Sequence, residues 1–255
     1  MIRVHWPLMA KLGVAACAAL TLQACASTGD AGSGGVAGWP DIDGVWFTDA
    51  PASFRGASSV LLPPYDAIHA ATRQALAEGR PAGDATTDCF PAGMPRVMLA
   101  PYPMEIRTTR DQVTILFEYM QQVMRVHMDG RSLPEDPDPG YMGYSVGHWE
   151  GDTLVVRTVG RNGLTQLDGG LTPHSDKLTL ELRLHRDGDE LTVTTIATDP
   201  EAFREPVTSV KVYELRNDIE IMEYNCVENN RNPSDADGNT LFILRDEQQA
   251  PEGDR

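Results

Sequence analysis

The chain has 255 residues, with 21 Lys and Arg against 37 Asp and Glu and a formal charge of −16. An acidic surface of that strength repels polyanions and anionic lipid, which argues against nucleic acid as a partner. The length suits one sizeable core and makes only a weak case for two.

The N-terminus has the three parts of a secretory signal. Arg3 and Lys11 give a basic start, no acidic residue precedes Asp30, and residues 12–22 are apolar and Ala-rich. That stretch is shorter than the roughly 20 residues a spanning helix needs. It ends in Leu22-Gln23-Ala24-Cys25, which resembles the bacterial lipobox. Residues 1–24 are therefore expected to be a lipoprotein signal peptide and Cys25 the lipidated residue. An ordinary cleaved signal with a chance cysteine is the alternative. Val14-Ala15-Ala16-Cys17 has the same local form behind a much shorter apolar run. Ala26 and Ser27 follow Cys25 with no adjacent Asp. By resemblance to Gram-negative lipoproteins, that favours the periplasmic side of the outer membrane, met through the lipid anchor alone. Stable anchoring then needs more than one acyl chain. Residues 25–40 read as a flexible tether, because 26–38 hold five glycines and no large side chain. Residues 1–25 hold two basic residues and no acidic one. The remainder therefore carries 19 Lys and Arg against 37 Asp and Glu, a formal charge of −18.

Residues 41–246 are expected to form a single β-rich domain, with a disordered tail at 247–255. Tyr65, Ile68, Thr72, Ala75 and Leu76 share one helical face, and Pro63-Pro64 and Gly79 bracket a helix over about 64–79. From residue 104 the pattern alternates like strands: 104–109, 113–119, 122–128, 145–150, 153–159, 178–186, 191–198, 207–216 and 219–227. Short breaks separate most of them, and Gly151-Asp152 and Asn217-Asp218 read as hairpin turns. Asp43-Gly44-Val45-Trp46 adds a Gly-x-Trp that resembles the opening motif of lipocalin-like barrels. The fold class expected is mainly β, an antiparallel meander closing into a lipocalin-like barrel, with a two-sheet β-sandwich as the alternative. Residues 129–144 and 160–176 are long irregular connections of the kind that line binding sites.

Removal of the signal leaves Cys89 and Cys226. An isolated pair in an oxidising periplasm reads as a disulfide, with two buried thiols or a metal pair as alternatives. Several strings carry a family likeness: CFPAGMPR at 89–96, ILFEY at 115–119, HMDGR at 127–131, MGYSVGHWEGDTLVV at 142–156, PHS at 173–175 and EYNCVENN at 223–230. They resemble a large group of uncharacterised secreted bacterial proteins and lipoproteins over residues 85–232. The resemblance implies a fold and a location and carries over no catalytic residue. It also supports pairing Cys89 with Cys226.

No metalloprotease, nucleophile-elbow or phosphate-loop pattern is present. His127, His148 and His174 lie near the two long loops, with Asp129, Glu150 or Asp168 as acidic partners. Such a set suits acid–base chemistry or a zinc with an open position, and hydrogen-bonded structural histidines are the plain alternative. Glu118 is either a buried acid or a brace for Arg125 or Arg131. Arg96 and Arg131 suit a ligand carboxylate, and Tyr119, Tyr141 and Tyr144 suit the wall of an aromatic pocket. No cofactor is expected; zinc at the histidines or calcium at the acid-rich 134–139 run are the alternatives. These features favour an envelope-tethered protein that binds a small organic ligand in a barrel cavity. The alternatives are a periplasmic hydrolase, lyase or isomerase using the same cavity, or a structural and assembly lipoprotein. Protein partners are not legible.

Overall fold

Successive side chains of a strand point to opposite faces, so alternation decides what a barrel holds inside. In the computed structural model, which describes residues 36–226, nine strands close into one barrel in chain order. They are β1 (Gly44–Phe47), β2 (Met104–Thr109), β3 (Gln112–Phe117), β4 (Gln122–His127), β5 (Tyr144–Glu150), β6 (Thr153–Val159), β7 (Thr179–Asp187), β8 (Glu190–Thr198) and β9 (Val207–Arg216). The chain is thus mainly β and forms a closed barrel rather than the two-sheet sandwich. The signal peptide, Cys25, most of the tether and the tail at 247–255 lie outside the described residues.

Leu180, Leu182 and Leu184 of β7 point inward and are buried, as do Leu191, Val193, Thr195 and Ala197 of β8. β9 contributes Val207, Ser209, Lys211 and Tyr213 to the same interior. Closure depends on β1, which pairs with β2 on one side and β9 on the other. Trp46 at its centre has no exposed surface. Its indole Nε1–H donates to the Ile42 carbonyl at 3.0 Å, and the Arg186 guanidinium lies 5.3 Å from the ring centroid.

Two expectations are corrected. The meander is not wholly antiparallel: β4 and β5 run parallel, because residues 128–143 turn back along the barrel before β5 begins. Residues 219–226 form no strand and no final hairpin. The free edge of β9 is already taken by β1, through pairs such as Phe47 with Glu214, so no ladder is left for that segment to join.

The two ends of the barrel differ. Two-residue turns at 110–111, 151–152 and 188–189 close one end, where Gly151 and Gly188 supply the left-handed backbone such turns demand. The long connections 48–103, 160–178 and 199–206 gather at the other. α1 (Tyr65–Ala77) rides on that loop end, burying Ala75 and placing His69 Nδ1 3.4 Å from the Leu171 carbonyl. The single turn α2 (Arg96–Leu99) is wholly buried and plugs the loop end. The Tyr213 hydroxyl and the Lys211 ammonium, both pointing inward from β9, donate to the Met98 carbonyl.

Candidate functional site

A cavity of about 490 Å3 opens at the loop end. Residues 51–53, Arg96 and Leu99 of α2, residues 100–102 after it, Tyr119 and the Gly169-Gly170 pair enclose it. It lies beside the barrel mouth. The sequence placed a ligand inside the barrel; the buried α2 turn and the inward strand residues belong to one hydrophobic cluster there.

Tyrosines form one wall. The Tyr102 and Tyr119 rings stack at 4.6 Å with planes 12° apart, and Tyr224 meets them edge-on at 5.7 and 5.4 Å. Burial raises the Tyr102 phenol above its ordinary value, helped by the neighbouring Tyr119 and Glu118. Glu118 does not brace Arg125 or Arg131. Its Oε2 accepts the Met222 backbone N–H at 2.9 Å and holds residues 219–226 beside the tyrosines. The Cys89–Cys226 disulfide fastens the same segment, with Cα atoms 5.6 Å apart.

Arg96 lines the cavity at 8% exposure, but its guanidinium is committed. Nη1 and Nη2 donate to the two Asp84 carboxylate oxygens at 2.6 and 2.7 Å, and further bonds reach Gln166 and Thr86. Burial alone would push the Asp84 carboxyl up, yet the bonds from Arg96 and Thr86 outweigh it and hold the group below its usual range. The charge meant for a ligand carboxylate is already matched within the protein.

The histidines do not converge. His127 is on the outward parity of β4, its ring 5.1 Å from that of Tyr144. Arg131 joins that patch, bonding Asp129 at 2.8 Å and the Tyr144 hydroxyl at 3.2 Å. The hydrogen bond from Arg131 holds Asp129 down to about 2. His148 is exposed on β5, 3.2 Å from Glu150, which also pairs with Arg183 at 2.7 Å. His174 is 3% exposed within the 160–178 loop. Its Nε2 stands 3.0 Å from the Thr165 hydroxyl and its Nδ1 2.8 Å from the Ser175 carbonyl. Burial lowers its pKa to about 4, so the ring is neutral at physiological pH. Asp168 folds the same loop by accepting the Phe54, Gly170 and Thr172 amides. The Tyr141 carbonyl accepts the Met94 amide ahead of α2. Among the described residues no group of three or more His, Cys, Asp or Glu side chains is placed to hold a metal ion.

Of the five binding candidates, the structure brings Arg96 and Tyr119 together at the cavity and Arg131 with Tyr144 on the outer face. Tyr102, Asp84, Tyr224 and Lys211 were missed. Tyr102 lies between Pro101 and Pro103, a rigid context that marks a presented side chain; the other three carry no local signal.

No family model matches the chain, and no curated protein matches it. Among solved structures, a secretary abundant heat soluble protein from Ramazzottius varieornatus is similar at 16% identity and a TM-score of 0.28, covering 69% of this chain and 95% of that one. At that distance the likeness carries no argument about function.

Proposed function

We propose that the protein binds a small, neutral, largely apolar organic molecule at the loop end of its barrel, while tethered to the cell envelope through Cys25. The observation that carries the binding reading is the cavity of about 490 Å3 walled by stacked Tyr102 and Tyr119. Its size falls within the range of about 300–1,000 Å3 common for small-molecule sites, and it combines apolar lining with few polar groups. Neutrality follows from Arg96, whose charge Asp84 already offsets, and from the net acidity that repels anions. Acid–base chemistry lacks a comparable footing, since no histidine lines the cavity. The lipobox-like 22–25 string supports the anchor, and the Cys89–Cys226 disulfide supports an oxidising compartment. The segment 85–232 and its likeness to secreted bacterial proteins point the same way.

Native mass spectrometry of protein purified from its own envelope, followed by a thermal-shift panel of neutral aromatic and aliphatic compounds, tests the binding. A retained or stabilising neutral compound whose effect is lost in Tyr102→Ala or Tyr119→Ala supports the reading. Stabilisation by anions alone, or binding indifferent to both substitutions, overturns it. Labelling cells with a fatty-acid analogue tests the anchor, which fails if Cys25→Ser still takes up label.

A further inference from the structure

The sequence contains three lysines, Lys11, Lys177 and Lys211. Lys177 is at the surface beside Asp176. Lys211 instead points into the barrel from β9 and is 4% exposed. Its Nζ donates to the Ala100 carbonyl at 2.5 Å and the Met98 carbonyl at 3.3 Å, and stands 4.6 Å from the centre of the Tyr213 ring. Among the described residues no carboxylate forms an ion pair with it, and burial alone lowers its pKa to about 8. Burial without a counter-ion enlarges the unprotonated fraction of the amine near neutral pH, which is one condition for a nucleophilic lysine.

Its surroundings carry a second signal. Ser209 occupies the preceding inward position on β9, and its register partner on β8 is Thr195. Both hydroxyl oxygens are buried and have no hydrogen-bond partner among the described residues. Two orphaned hydroxyls at inward positions next to that of Lys211 are costly as packing. They are useful as proton relays. Ala100, the residue that receives the ammonium, is also part of the cavity wall. The amine is therefore bonded to a residue of the cavity wall.

We propose that Lys211 captures small aldehydes or ketones as imines, with Ser209 and Thr195 serving the proton transfers. Nζ attacks the carbonyl carbon and forms a carbinolamine, whose hydroxyl takes a proton and leaves as water. Loss of the remaining Nζ proton gives the neutral C=N bond, so one water is released per imine and no oxidant or reductant is needed. The proposal uses the cavity as an entry path and does not depend on which neutral ligand binds there reversibly.

Trapping tests it on the unmodified protein. The full chain is incubated with propanal and cyanoborohydride at pH 7.5, and modified lysines are located by peptide mass mapping. Lys211 should be alkylated roughly tenfold faster than in the urea-unfolded chain, because burial without a counter-ion enlarges its free-amine fraction. Its labelling should reach half-maximum near pH 8, and the label should vanish in Lys211→Arg, which keeps a cation for the α2 carbonyls. Labelling of Lys177 with Lys211 unmodified, or modification of Lys211 that is as fast or faster in urea, overturns the proposal. Either result leaves the Tyr102 and Tyr119 binding test unaffected, so the two readings fail separately.

Discussion

Arg96 and Asp84 meet through two parallel hydrogen bonds, 2.6 and 2.7 Å long, at the edge of the mouth cavity. Both side chains are largely buried, so neither charge can fall back on water. Asp84→Asn should therefore cost about 3 kcal/mol, the scale for stranding one partner of a buried pair. It should also let Arg96 receive a ligand carboxylate in place of the Asp84 one. Urea unfolding and a thermal-shift series with carboxylates check the two halves. The Asp84 contribution is present above the unfolded carboxylate pKa and is lost as pH falls through the lowered folded value.

His174 makes stability depend on pH in a milder window. Its folded pKa of about 4 lies below the ordinary value of 6.5, so the unfolded chain binds more protons between those values. Stability is full above pH 6.5 and falls as pH drops towards 4, by about 3 kcal/mol in total. Denaturant titrations at pH 7 and pH 4.5 should show that loss in the native protein. His174→Gln, which cannot charge, should begin less stable and lose less.

The Cys89–Cys226 link closes a sequence separation of 137 residues. On the chain-entropy account its removal costs up to about 5 kcal/mol. Reductant, or the Cys89→Ser and Cys226→Ser pair, should lower the denaturation midpoint and loosen Tyr224 from Tyr102 and Tyr119. Alkylation without reductant should leave both cysteines unlabelled; labelling of both would remove the link from the account.

Gly143 tests the return of the chain into β5. It has φ of +71°, and a Cβ there would sit 2.5 Å from the Val159 carbonyl oxygen and 2.9 Å from the Thr158 methyl. Backbone cannot swing aside as a side-chain tip does. Gly143→Ala should destabilise by roughly 2 kcal/mol or more through strained backbone and steric clash, read as a lower melting temperature. Gly169→Ala in the cavity rim meets nothing within 4 Å and serves as the control.

The strands from β2 to β9 were legible because their inward residues alternate with outward ones over six to ten positions. The 219–226 run shows the limit of that reasoning. It looks like a strand locally, but whether a partner edge exists depends on β1, some 170 residues earlier in the chain. The site divided in the same way. Tyr119 and Arg96 were visible as residue types, while Asp84, which decides what Arg96 can do, carries no local mark. The histidines were grouped by loop, yet strand parity sends His127 and His148 outward and packing seals His174.

The crosslink also determines how the molecule bears load. Cys89 and Cys226 close a covalent ring that contains α2 and β2 to β9, with β1 and α1 outside it. Tension between the proposed anchor and the far end of the chain passes across the sulfur bridge and bypasses the enclosed strands. What it can extract is β1, a single stave held between β2 and β9. About 50 nm of contour stays locked in the ring until the bond is reduced. If the proposed anchor holds, pulling should cost the barrel one strand first, and restoring that strand should restore the barrel.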